Sequence, residues 1–143
     1  MSSIIKSATE NREDMLKFYE ILRTLTGLSQ CDFDIYLVML RIYEKSREPL
    51  TVSELTQLLG KSRSAIERTI LKLHKSNFIE RRQTLSRSGG YTYVYYPRPL
   101  EEIKKMLQER LDEFYKNARE MILNLENVIS ETGKNGENGN GRD

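Results

Sequence analysis

The residues whose types most clearly indicate a chemical function are the basic side chains between Lys61 and Arg98. This segment carries nine Lys and Arg residues against two Glu, a local charge of +7. The regions before and after it carry charges of −2 and −3, so the net charge of +2 conceals this uneven distribution of charge along the chain. A concentrated positive segment of this kind is the electrostatic pattern expected of a surface that binds nucleic acid phosphates.

Other chemistry is sparse. One Cys and one His cannot form an intramolecular disulfide or a Cys/His zinc site. Cys31, near a predicted helix start, is most simply a small buried residue, with oxidation sensing as the alternative. His74 lies near the end of a predicted helix, where a structural role is favoured, and no acid is positioned by sequence to orient it. We therefore expect no enzyme activity and no cofactor.

The chain has no apolar run long enough for a signal peptide or a membrane-spanning helix. The longest apolar stretch is Ile35 to Leu40, far below the roughly 20 residues that a bilayer requires. We therefore expect no membrane partner and a soluble, cytoplasmic protein.

Helical spacing predicts two helices in the first third of the chain. In residues 11–25, apolar side chains recur every three or four positions, which predicts an amphipathic helix that Gly27 ends. Ser29 and Asp32 then form a helix start signal. The unbroken length that follows favours a buried central helix from Gln30 to about Ser46.

Two further helices are predicted on either side of a tight turn. Thr51 and Glu54 fit a capping box for a short helix to Leu59, and Gly60 supplies the turn residue. The next helix starts with Ser62 as its N-cap and ends near residues 76–77. Its inward-facing residues are predicted to be Ile66, Ile70 and Leu73.

A β-hairpin is predicted after these helices. Residues 78–82 and 91–96 are short extended runs, and the Ser-Gly-Gly sequence between them indicates a mobile tip. Tyr91, Tyr93 and Tyr95 share one strand face, for which hairpin packing is favoured over base stacking or phosphorylation.

The C-terminal region contains no helix breaker from Leu100 to about Ser130. Its apolar residues follow the a/d spacing of three heptads. They are Leu107, Leu111, Phe114, Ala118, Met121, Leu125 and Val128. At ~1.5 Å per residue the helix would be about 45 Å long, which is longer than a single small domain can cover. A homodimer is therefore favoured over packing against the first helix of the same chain, and the Gly- and Asn-rich residues 132–143 are predicted to be disordered.

The order of these elements predicts a mainly α fold with a small β-hairpin, a winged helix-turn-helix with a long C-terminal dimerisation helix. The predicted regions are an N-terminal helix (1–27), a DNA-binding domain (28–98), a dimerisation helix (99–131) and a tail (132–143). In this fold the second helix enters the DNA major groove and the hairpin lies over the backbone or minor groove.

The predicted DNA-contacting residues lie on the outer side of that helix and on the wing. They are Ser62, Arg63, Ser64, Glu67, Arg68, Lys72, Lys75, Arg81, Arg82 and Arg87. Arg63 and Arg68 are the candidates for base reading, because arginine pairs bidentately with guanine. The serines and helix-start amides suit phosphate. The wing arginines would add salt-dependent contacts, with ordinary solubilising charge as the alternative.

Residues 50–79 read LTVSELTQLLGKSRSAIERTILKLHKSNFI, and this stretch resembles MarR-like and archaeal TrmB-like transcriptional regulators. The resemblance extends over about residues 28–98 and implies that Ser62, Arg63, Ser64 and Arg68 contact DNA. Two departures are Thr56, where the family usually has Ala, and Asn77, where it usually has Gly. The chain is too short for the sugar-binding domain of full-length TrmB regulators, so sugar sensing is not implied.

The sequence thus predicts a nucleoid-associated homodimeric regulator that binds pseudo-palindromic promoter DNA. The dimer would place its two recognition helices, residues 62–76, in successive major grooves about 34 Å apart, with each wing, residues 78–96, over the backbone or minor groove. Two alternatives stay open, a sequence-neutral architectural protein and a winged-helix protein-docking module. No small-molecule effector is identified by the sequence.

Overall fold

The structure is a computed structural model that describes residues 2–131, with side chains described from residue 11 onward. The elements in chain order are α1 (Ser2–Thr26), α2 (Gln30–Ser46), α3 (Val52–Leu59), α4 (Arg63–Lys75), β1 (Ile79–Leu85), β2 (Tyr91–Pro97) and α5 (Leu100–Leu123). This order confirms the predicted winged helix-turn-helix with a long C-terminal helix. The predicted disordered tail lies outside the described residues. The chain divides after Lys104 into two compact units.

Local capping signals begin and end the helices of the first unit. Ser29 and Asp32 form a complete capping box at α2, and Thr51 and Glu54 form another at α3. Gly60 ends α3 in the left-handed conformation with φ of 63°. These predicted boundaries are confirmed. α1 lies within the predicted N-terminal region 1–27 and begins at Ser2, nine residues before the apolar repeat of residues 11–25, and residues 2–10 contain neither Gly nor Pro to stop the helix.

Aromatic rings from three parts of the chain form the centre of the core. Phe33 of α2 lies edge-on to Phe18 of α1, with ring centroids 5.1 Å apart. Tyr36 lies edge-on to Phe78, the residue before β1, at 5.3 Å. The inward side of α4, predicted from its spacing, is buried beside this cluster through Ile66, Ile70 and Leu73. The recognition helix is thus fixed by one face to the core.

The hairpin is anchored to the helices at its base. β1 and β2 pair antiparallel from Ile79 opposite Pro97 to Leu85 opposite Tyr91. Leu50 adds a bridge to Tyr95 through backbone hydrogen bonds of 2.9 and 3.3 Å. Tyr95 is accordingly buried, as hairpin packing predicts, whereas Tyr91 at the far end is 71% exposed.

The first wing strand is longer than the spacing predicts. Its ladder continues through Gln83 and Thr84 to Leu85, so only residues 86–90 form the tip. The reason is that each of these residues has a backbone partner in the Tyr- and Thr-rich second strand.

The C-terminal helix is not one regular element to Ser130. α5 ends at Leu123, a turn lies at Asn124, and residues 125–131 are again helical. Backbone bonds from the Asn124 amide to Glu120 and from the Val128 amide to the Asn124 carbonyl keep the i to i−4 spacing across the turn. The a/d register therefore continues through the irregularity.

No helix within residues 2–131 has the length and apolar character needed to cross a bilayer.

Candidate nucleic-acid interface

The N-terminus of α4 is an exposed, capped helix start. The Ser62 hydroxyl accepts a hydrogen bond from the Ala65 amide at 3.2 Å, and the Ser64 hydroxyl lies 3.5 Å from that of Ser62. Because α4 buries its inner face, its outer face is open to solvent. We define the α4 outer face as Ser64, Arg68, Leu71 and Lys75, all of which are exposed. Helix-start amides and serine hydroxyls of this kind suit a phosphate group.

Arg63 is held by contacts within the protein. Its Nε atom lies 2.9 Å from Glu67 Oε1, and its Nη1 atom donates to the Ser53 hydroxyl at 3.0 Å. Arg63 therefore links the start of α3 to α4. A base contact by its guanidinium would have to replace these two bonds. Glu67, also predicted to contact DNA, is the partner in this ion pair.

Arg68 differs from Arg63 in its surroundings. It is exposed on the α4 outer face, and no hydrogen bond or ion pair joins its side chain to another residue in the part of the chain that the structure describes. Its guanidinium can bind an external acceptor without breaking an internal bond. Of the two arginines predicted to read bases, Arg68 is the one that the structure leaves available.

A buried carboxylate connects α4 to α2. Asp32 is 2% exposed, and it accepts hydrogen bonds from the Thr69 hydroxyl at 3.2 Å and from Lys72 Nζ at 3.1 Å. Its Oδ2 atom also accepts from the Ser29 amide. The Lys72 ammonium, predicted to contact DNA, is thus directed to α2. The sequence predicts the capping role of Asp32 but not this network. The one signal that could have revealed it is the position of Thr69, which falls at the same spacing as the buried residues of α4.

The environment of Asp32 favours its charged form. Burial alone would raise the pKa of this carboxyl group, but hydrogen bonds from Ser29 and Lys72 outweigh burial and lower the pKa below its ordinary value. Asp32 is therefore ionised at neutral pH, and it holds α4 to α2 as a carboxylate.

The wing arginines lie against tyrosine rings of the opposite strand. The guanidinium carbon of Arg81 lies 4.3 Å from the ring centre of Tyr93, and that of Arg82 lies 4.5 Å from that of Tyr96. These cation–π contacts place both charges beside the strands. Arg87 is exposed in the tip.

A shallow cavity separates the wing from the helices. Its volume is about 380 Å³, and its lining includes Ser53, Arg63, Glu67, Arg81 and Tyr93. The Arg63 bonds described above therefore form one wall of this cavity. Within the described residues, no three His, Cys, Asp or Glu side chains lie close enough together to hold a metal ion.

Comparison with known proteins identifies the family. Residues 22–101 match the family described as sugar-specific transcriptional regulator TrmB. The chain belongs to the TrmB family. It is a DNA-binding transcriptional regulator of the winged-helix type, as the sequence predicts. The TrmB match includes the capped helices and the wing. Asn77, one departure from the resemblance, has φ of 61° and so keeps the left-handed conformation for which glycine is usual.

Three similar proteins come from archaea. An uncharacterized protein of Methanocaldococcus jannaschii, MJ1503, is 25% identical over 116 residues, which are 80% of this chain and 84% of the relative. A possible transcriptional regulator from Methanosarcina mazei Go1 aligns with a TM-score of 0.63 at 19% identity, covering 74% of this chain and 86% of that one. The ST1889 protein of Sulfolobus tokodaii aligns at 0.53 and 22% identity, covering 69% and 92%. These two likenesses show the fold.

Proposed function

We propose that this TrmB-family chain binds pseudo-palindromic promoter DNA as a homodimer, with α4 in the major groove and the wing over the adjacent backbone. The observation that carries the proposal is the coincidence of the +7 segment with α4 and the hairpin. The α4 outer face is polar and basic apart from Leu71, and it is fixed from behind by the core, as a helix that reads a groove must be. Such a regulator would be nucleoid-associated in the cytoplasm.

Within this interface, Arg68 reads a base and the neighbouring groups position the helix. The Arg68 guanidinium has paired N–H donors that match guanine O6 and N7, and no internal side-chain bond competes with that contact. Ser62, Ser64 and Lys75 contact phosphates near α4, while Arg81, Arg82 and Arg87 add phosphate or minor-groove contacts from the wing. Arg63, Glu67 and Lys72 contribute mainly by holding α4 in place, and Arg63 joins the DNA contact when its internal bonds are exchanged.

The exposed apolar face of α5 and of the helical residues 125–131 supports the dimer. Leu111, Phe114, Met121 and Leu125 are between 49% and 58% exposed, although their spacing is that of a helix–helix seam. Large apolar side chains aligned on one face mark an interaction site on a protein surface.

The decisive test compares two arginine-to-alanine substitutions, each of which removes one positive charge. Arg68→Ala should weaken binding to a selected operator by about 1–3 kcal/mol and relax its preference for one base. The control Arg119→Ala removes one positive charge from α5 and should leave DNA affinity nearly unchanged. Fluorescence anisotropy with operator and random duplex at about 0.15 M salt measures both effects.

The same titration distinguishes the alternative functions. Equal affinity for operator and random duplex would indicate a sequence-neutral architectural protein. Absence of DNA binding by the wild type would indicate a protein-docking module. An unchanged affinity of Arg68→Ala would show that the base-reading residue is wrongly assigned.

A further inference from the structure

The apolar surface of the second unit is wider than an a/d seam. With Leu111 at position a and Phe114 at position d, the e position before Leu111 is the polar Gln108, and the e positions within residues 111–131 are apolar. They are Tyr115, Ile122 and Ile129, and they are between 62% and 71% exposed. The g positions on the other side of the seam are polar. They are Arg110, Asn117, Asn124 and Glu131. The seam is therefore flanked by one apolar edge and one polar edge.

We propose that a second copy of this chain covers this surface in the antiparallel direction, in the register where Ala118 faces Met121 of the second copy. The inference rests on the dimer of the proposed function and specifies its geometry. In a parallel pair each e edge faces the g edge of its partner, whereas in an antiparallel pair e faces e and g faces g. Only the antiparallel direction brings apolar edge to apolar edge and polar edge to polar edge.

The seam residues from Leu111 to Val128 also fill space evenly in this register. Ala118 faces Met121, Phe114 faces Leu125, and Leu111 faces Val128, with each pair occurring twice about the two-fold axis. Each layer combines a larger and a smaller side chain, which is the arrangement that packs without voids. A parallel pair in register would instead place Ala118 against Ala118 and Phe114 against Phe114, leaving one layer empty and the next crowded.

Charge selects the same register. When Ala118 faces Met121, Arg110 on the g edge lies beside Glu131 of the second copy, and Asn117 lies beside Asn124. Opposite charges thus meet at both ends of the interface and two amides meet near its centre. Shifting the pairing by one heptad in either direction places Arg110 beside Asn124 or Glu131 beside Asn117, and the opposite-charge pairs are lost.

Disulfide trapping tests the direction of pairing. In a Cys31→Ser background, Leu111→Cys and Val128→Cys are prepared as separate variants and mixed in a glutathione redox buffer. The proposed register predicts a disulfide-linked heterodimer and little crosslinking of either variant alone. In a parallel pair the two positions would be about 26 Å apart, well beyond the Cα separation of a disulfide.

Each other result overturns the proposal in a recognisable way. Crosslinking of Leu111→Cys with itself would establish a parallel dimer and leave the proposed function intact. A dimer without crosslinks would show that the copies pair in another register or through another surface. A monomer in sedimentation would contradict both the dimer of the proposed function and the register inferred from it.

Charge reversal gives a second test at Glu131, which is exposed, and at Arg110, which is half-buried. Glu131→Arg should weaken dimerisation on the order of tenfold, since two attractive pairs become repulsive. Adding Arg110→Glu should restore the wild-type dissociation constant to within about twofold. These two residues are about 31 Å apart along one helix, so restoration requires contact between copies. Additive weakening in the double variant would overturn the register.

Discussion

Residues of the same type have different roles on α4 because their neighbours differ. Arg63 and Arg68 are both exposed and both belong to the basic segment. The first is bonded to Glu67 and Ser53, so its contact with DNA competes with internal bonds of similar strength. Arg68 has no such competition and can contribute its full interaction to the complex. Residue type and helical spacing identify both candidates, and what separates them is the Glu67 ion pair within α4 together with the contact of Arg63 with Ser53 of α3.

The clearest prediction for a single residue concerns Asp32. Asp32→Asn should lower the free energy of unfolding at pH 7 by about 1–3 kcal/mol, because Lys72 and Thr69 lose their bonds to a buried carboxylate. The pKa of Asp32 is lowered by folding, so its contribution is present above the ordinary carboxyl pKa. The contribution is lost as pH falls through the lowered value. The difference between variant and wild type should therefore shrink below about pH 4.

Urea unfolding monitored by circular dichroism between pH 7 and pH 2.5 measures this dependence. The control is Asp34→Asn, an exposed carboxyl group two residues away, which should change stability by less than about 0.5 kcal/mol. An equal loss in the two variants, or a loss that does not depend on pH, would show that Asp32 is not ionised against Lys72.

At the scale of elements, the features that local sequence signals determine are predicted well. The features that depend on long-range contacts are not. The capping boxes at Ser29 and Thr51 involve residues three apart, so the sequence reveals them directly. In contrast, β1 extends to Leu85 because a partner strand continues beside it. The Asp32 network joins residues about forty positions apart, which no local pattern encodes.

The turn between α3 and α4 offers a test of one such local signal. Gly60 has φ of 63°, and a Cβ atom there would meet no other atom within 4 Å. Gly60→Ala should therefore cost only the backbone strain of the left-handed conformation, about 1 kcal/mol. We expect a melting temperature about 3–6 °C lower in a thermal unfolding scan. Gln57→Ala, an exposed change within α3, should cause no such drop, and equal melting temperatures for both variants would contradict the assigned turn.

At the scale of the whole molecule, the basic residues and the exposed apolar surface lie in different compact units. Basic residues concentrate on the winged helix of the first unit, while the second unit combines a negative charge with an exposed apolar seam. The sequence predicts this division because charge and heptad spacing can be counted directly. It leaves open the pairing direction, which depends on how two copies match.

The last prediction tests whether the seam is needed for assembly and for tight DNA binding. Leu111→Asp combined with Leu125→Asp would bury two charges per chain in the seam, which is strongly unfavourable. The double variant should sediment as a monomer and lose at least about a hundredfold in operator affinity, because two linked DNA contacts become one. The control combines Lys116→Asp with Asn127→Asp on the outer side of the helix and should remain dimeric. A double seam variant that stays dimeric would show that another surface joins the copies.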